Sequence, residues 1–176
     1  MTLRRSFALL AFAALLAGPA AAQQPPSPAD DAPIRAEKPD PQKQFLIENA
    51  KRPGWKTTPS GLQYKAVKPV ANPAAPSPLA TDAVLVNYEG RLIDGTVFDS
   101  SYERGEPISF PLNRVIAGWT EGVQLMKVGE TYEFAIPGRL AYGARGIPQA
   151  GIGPNATLLF KVELLEILPP GAMPPR

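Results

Sequence analysis

The stretch "VNYEGRLIDGTVFDSS", residues 86–101, decides the fold. Val84, Val86 and Tyr88 alternate with Leu85, Asn87 and Glu89, the period of a strand with two different faces. Asp94-Gly95 between Leu92-Ile93 and Thr96-Val97 predicts a two-residue hairpin turn with both positions at positive φ. The chain therefore returns as a second strand, and Phe98-Asp99 lies near its end, a large ring beside a carboxylate.

Outward from the hairpin, Leu62–Val67 in "SGLQYKAV" predicts a strand, as do "TYEFAIPG" with Tyr132, Phe134 and Ile136, and "ATLLFKVELLEI" with Leu158, Phe160, Val162 and Leu164. In "NRVIAGWTEGVQLMKVGE", Val115/Ile116, Trp119, Val123 and Met126 recur at three- and four-residue intervals, which predicts a short helix with Asn113 as cap and Gly129 as stop. A second short helix is expected over Gln42–Lys51, where Phe45, Leu46 and Ala50 share a face and Pro53-Gly54 ends it. "RLAYGARGIPQAGIGPN" holds too many glycines and prolines for an element and reads as a long functional loop. Five or six strands, mostly hairpin-joined, with one helix between them, make an α+β antiparallel domain.

The first 22 of the 176 residues have the order of a secretory signal: Arg4 and Arg5, the apolar run Phe7–Leu16, and Ala20-Ala21-Ala22 with cleavage expected after Ala22. The run is short for a membrane span, and no cysteine follows to carry a lipid, so no membrane anchor is expected and the product is periplasmic or secreted. Residues 23–40 are a Pro-rich flexible linker, 41–61 the short helix and a connector, 62–168 the folded domain, and 169–176 a Pro-rich tail. Without the signal, 16 basic residues (18 less Arg4 and Arg5) balance 16 acidic ones, which argues against nucleic acid as a partner.

With no histidine and no cysteine, thiolate catalysis, a Ser-His-Asp triad and the usual zinc sites are closed, and no glycine-rich phosphate loop is present. The pairs Asp94/Asp99 and Glu103/Glu106 read as solvated loop acids sooner than as a sugar-cleaving pair. The chain keeps a set of aromatic residues, several beside polar groups: Tyr88, Phe98, Phe110, Trp119, Tyr142 and Phe160.

In order and spacing, "VNYEGRLIDGTVFDSS", "VIAGWTEGVQLM", "AYGARGIP" and "NATLLFKVELL" resemble the FKBP-type peptidyl-prolyl cis/trans isomerases, from about Leu62 to Ile167. "KTTPSGLQYKAV" is similar to the secreted bacterial branch that includes macrophage infectivity potentiator. The resemblance implies an antiparallel twisted sheet wrapped around a short helix, with an apolar cleft between them. It puts Trp119 at the floor of that cleft and Tyr88, Phe98 and Phe160 in its walls. It gives the carbonyl-holding groups as the Ile116 N–H and the Tyr142 hydroxyl, and has Arg104 orient Asp99. Val115, Ile108, Phe110 and Ile152 complete the substrate-binding set. Ile108 replaces an aromatic common in the family, and the segment between Phe110 and Val115 is two residues shorter than in the small cytosolic members.

The activity implied by the resemblance is rotation about X-Pro bonds in unfolded or partly folded exported proteins, without metal, cofactor or proton transfer. The macrolides tacrolimus and rapamycin are implied ligands, and the lack of the extended dimerising helix implies a monomer. The alternative is a chaperone or peptide-binding module that uses the same cleft with little turnover.

Overall fold

The computed structural model describes residues 39–72 and 74–168; the expected signal segment, nearly all of the linker, and the C-terminal tail lie outside the described residues. Among the described residues, seven strands form one sheet: β1 (Lys56–Thr57), β2 (Gln63–Lys68), β3 (Ala83–Leu92), β4 (Val97–Ser100), β5 (Ile108–Pro111), β6 (Thr131–Ile136) and β7 (Leu158–Leu168). The order is β1-β2-β6-β7-β3-β4, with β5 also on β3 and every pairing antiparallel. The helices are α1 (Pro41–Asn49), α2 (Ser101–Arg104) and α3 (Ala117–Val123). This is the expected α+β arrangement, with β1 and β5 as two short strands the sequence pattern did not reveal.

The sheet's inner face closes on α3. Val84, Val86, Phe134, Ile136, Leu158, Phe160, Val162 and Leu164 are buried there against Trp119, Val123 and Met126, which confirms the expected alternation on β3 and β7; on β6 Phe134 and Ile136 are buried as expected, but Tyr132 is only half-buried and Ala135 is buried as well. The close approach depends on glycines: a Cβ on Gly118 would come within 2.4 Å of the Ile136 side chain, and one on Gly122 within 2.7 Å of the Phe134 ring. Two small residues four apart let the helix settle onto β6.

Three local expectations are corrected. The β3–β4 connection is a three-residue loop, not a two-residue turn. The Gly95 N–H donates to the Leu92 carbonyl at 3.0 Å and the Leu92 N–H to the Thr96 carbonyl at 2.8 Å, and Gly95 (φ 90°) alone takes positive φ, because the Asp94 side chain instead accepts from the Thr96 N–H at 2.9 Å. Asn113 does not cap α3: it sits in a 3-10 turn (Leu112–Arg114), and α3 starts after Ile116 without a side-chain cap. On α1, which Asp40 caps through the Gln42 N–H, Ala50 is exposed and Asn49 is buried in its place.

The reason for the last change is that α1 grips the outer face of the sheet through amides. Asn49 donates to Gln63 at 2.8 Å, Gln63 donates to the Leu46 carbonyl at 2.8 Å, and Gln42 accepts from the Thr157 N–H at 2.7 Å. Apolar periodicity cannot report an attachment built from hydrogen bonds. The loop over 139–155 is also more ordered than its composition suggests, with three 3-10 turns and a bridge between Ile147 and Ile152.

Candidate functional site

A cavity of about 490 Å³ opens between α3 and the sheet, lined by Tyr88, Phe98, Asp99, Phe110, Arg114, Val115, Ile116, Trp119, Tyr142 and Phe160. Trp119, only 5% exposed, is its base. Three rings meet the indole edge-on: Tyr88 at 5.3 Å between centroids, Phe160 at 5.4 Å and Phe110 at 5.5 Å. Phe98 in turn stands edge-on to Phe160 at 5.5 Å. Such T-shaped pairs set the positive ring edge against the negative ring face, so each ring is held in orientation as well as place. A Cβ on Gly90 would lie 2.6 Å from Phe98 and 2.9 Å from Phe160, so the bare glycine on β3 makes room for both walls.

One wall is polar. The Tyr88 hydroxyl donates to Asp99, Arg104 donates to the other Asp99 oxygen at 2.5 Å, and its second nitrogen reaches the Tyr88 oxygen at 3.0 Å while the guanidinium lies 5.6 Å from the Tyr88 ring. Burial raises the Asp99 pKa, but the hydrogen bonds from Tyr88 and Arg104 and the Arg104 charge outweigh it, leaving the carboxyl below its usual range. Burial, with the bond to Asp99, pushes Tyr88 up to about 12. Burial and the Asp99 charge also raise Tyr142, which therefore stays a neutral donor.

Ser101 holds this wall from behind. On this side β5 pairs with Ala83–Val86 of β3 and β4 with Glu89–Arg91, leaving Asn87 and Tyr88 between them, so the Tyr88 N–H has no strand to bond. The fully buried Ser101 hydroxyl accepts from it at 2.9 Å. Ser101→Ala should leave that donor unsatisfied and cost about 1–3 kcal/mol. Urea unfolding of this variant should show the loss, and Ser101→Thr should recover part of it; equal stability of all three would refute the role.

Of the twelve residues expected in the site, nine line the cavity: Tyr88, Phe98, Asp99, Phe110, Val115, Ile116, Trp119, Tyr142 and Phe160. Arg104 stands outside and acts on it through Asp99 and Tyr88. Ile108 and Ile152 do not line it. Ile108 is packed against the core from β5, while Ile152 is 2% exposed and tied to Ile147. A chain position next to pocket residues does not say which way a side chain turns. Sequence reading missed Arg114, Gly90 and Ser101, whose positions depend on a turn, a ring contact and a gap in strand pairing.

A larger hollow of about 630 Å³ lies elsewhere, lined by Phe45, Arg52, Trp55, Glu89, Arg91, Glu133 and Lys161 among others. Its charged lining lacks the interlocked rings, so the Trp119 cavity is the stronger candidate. Among the described residues, no group of three or more acidic side chains is placed to hold a metal ion.

A family model described as FKBP-type peptidyl-prolyl cis-trans isomerase matches residues 75–165, and one described as the domain amino terminal to FKBP-type peptidyl-prolyl isomerase matches residues 20–66. An FKBP-type peptidyl-prolyl cis-trans isomerase FkpA from Aeromonas hydrophila is 54% identical over 129 residues, covering 73% of this chain and 46% of that protein. The peptidyl-prolyl cis-trans isomerase Mip of Coxiella burnetii is 51% identical over 123 residues, covering 70% of this chain and 52% of that protein. The crystal structure of FkpA from Escherichia coli superposes with a TM-score of 0.68 at 47% identity, covering 73% of this chain and 58% of that one. The chain spans about half the length of the curated relatives it matches.

Proposed function

The chain belongs to the FKBP-type peptidyl-prolyl cis-trans isomerases, and from that premise we propose that its cavity accelerates cis/trans rotation of X-Pro bonds in exported proteins. The observation that carries this reading is the ring-walled cavity over Trp119, with one charge-locked carboxylate and uncommitted donors that include the Ile116 N–H and the Tyr142 hydroxyl; neither of these bonds to another described residue.

Rotation about an amide is opposed by resonance, with a barrier of about 18–20 kcal/mol. The planar ground state carries more charge on its carbonyl oxygen than the twisted state does. A cavity that replaces water with ring faces destabilises the planar form more than the twisted one. Trp119 would seat the proline ring, Phe98, Tyr88, Phe160, Phe110 and Val115 would exclude water, and the two donors would fix the substrate carbonyls. Asp99, held by Arg104, is a fixed acceptor and dipole. No bond breaks and no proton moves.

The pKa directions define the pH response. Asp99, lowered in the fold, contributes stability above about pH 4 that is lost as pH falls through its lower folded value. Tyr88, raised to about 12, contributes below pH 10 and loses that contribution as pH rises through its folded value. Turnover should therefore be flat from about pH 5 to 8 and insensitive to EDTA. A steep titration in that window, or inactivation by chelator, would overturn the mechanism.

The direct test is the cis-to-trans rate of a capped X-Pro peptide with and without the protein. Acceleration supports the isomerase, whereas peptide binding or suppressed aggregation without acceleration supports the chaperone reading. Tacrolimus or rapamycin should compete for the cavity. We take the chain to be a monomer exported through residues 1–22. No helix among the described residues is long and apolar enough to cross a membrane.

A further inference from the structure

The cavity mouth carries one charge that no described residue answers. Two ionisable groups of full charge line the cavity, Asp99 and Arg114. Asp99 is committed, bonded by both Tyr88 and Arg104. Arg114 is exposed and makes no side-chain hydrogen bond, ion pair or ring contact with any described residue.

The position of Arg114 is built into the fold. It ends the 3-10 turn whose Leu112 is fully buried. The Leu112 N–H donates to the Asp82 carbonyl at 2.9 Å, and its carbonyl accepts from the Thr120 hydroxyl of α3 at 2.5 Å. With the turn anchored through Leu112, Arg114 is held beside Val115 and Ile116 in the cavity lining.

Resting on the isomerase reading, we propose that Arg114 is a specificity-determining residue that favours substrates with an acidic side chain flanking the proline and disfavours those with a basic one. A cation without an internal partner is free to pair with substrate charge, and guanidinium suits a carboxylate. Unit charges about 7 Å apart in a water-like dielectric change an equilibrium about threefold, so the contrast between Glu and Lys should span about eightfold. It should shrink as salt shortens the Debye length from about 10 Å at 0.1 M to about 3 Å at 1 M.

The experiment compares kcat/KM for capped peptides with Glu, Gln or Lys immediately before proline, and a second series with the same residues immediately after it. The full chain, Arg114→Gln and Arg114→Glu are measured at low and high salt. In at least one series the full chain should prefer Glu over Lys about five- to tenfold at low salt. That ratio should approach one in Arg114→Gln and invert in Arg114→Glu. Ratios that are the same in all three proteins overturn the proposal while leaving the isomerase standing. Should no peptide be turned over, the isomerase reading falls, and the same ratios read from dissociation constants in NMR titrations still decide the role of Arg114.

Discussion

Trp119→Ala should lower the melting temperature by roughly 10–20 °C. The indole is 5% exposed and meets three rings edge-on, so its removal opens a void that Tyr88, Phe110 and Phe160 cannot fill without giving up their mutual orientation. Truncating a buried Trp costs about 3–5 kcal/mol, which at roughly 3–4 °C per kcal/mol for a domain of this size gives that shift. Gly118 and Gly122 deepen the cost, because α3 is already seated on Ile136 and Phe134 and cannot move closer. Trp119→Phe should retain most of the stability. A scanning calorimetry trace for Trp119→Ala within a few degrees of the parent would refute this account of the cavity floor.

Phe98→Ala should have the opposite signature, a large loss of turnover on a largely intact fold. Phe98 is only partly buried and leans on Phe160, so truncation should cost about 1–2 kcal/mol of stability. The cavity would then open to water over Gly90. Lowering kcat/KM by about 10- to 100-fold corresponds to about 1.4–2.7 kcal/mol of transition-state stabilisation. If water exclusion is the cause, the loss should fall in kcat more than in KM, and Phe98→Leu should recover part of it. A variant as fast as the parent would remove desolvation from the mechanism.

These two variants differ because two kinds of information place the residues. Trp119 was legible as a helix residue at the correct interval from Val123 and Met126, and its burial follows from that spacing. The alternation in β3 and β7 likewise predicted which side chains face the core. Family motifs placed Tyr88, Phe98, Asp99, Phe110, Val115, Ile116, Tyr142 and Phe160, all of which line the cavity. Ile108 and Ile152, placed with them by the resemblance, do not line the cavity and pack against the core instead.

By itself, the sequence determined strands β2, β3, β4, β6 and β7, the α3 face and the closed door on His and Cys chemistry, because these depend on residue type and on periods of two or about 3.6 along the chain. Only the tertiary structure decided that Asn49 replaces Ala50 under α1, that Ser101 serves Tyr88 where β4 and β5 leave a gap, and that Arg114 stands at the mouth with no partner among the described residues. Each of these depends on a distance between segments far apart in the chain, or on a partner's absence, and local periodicity carries neither.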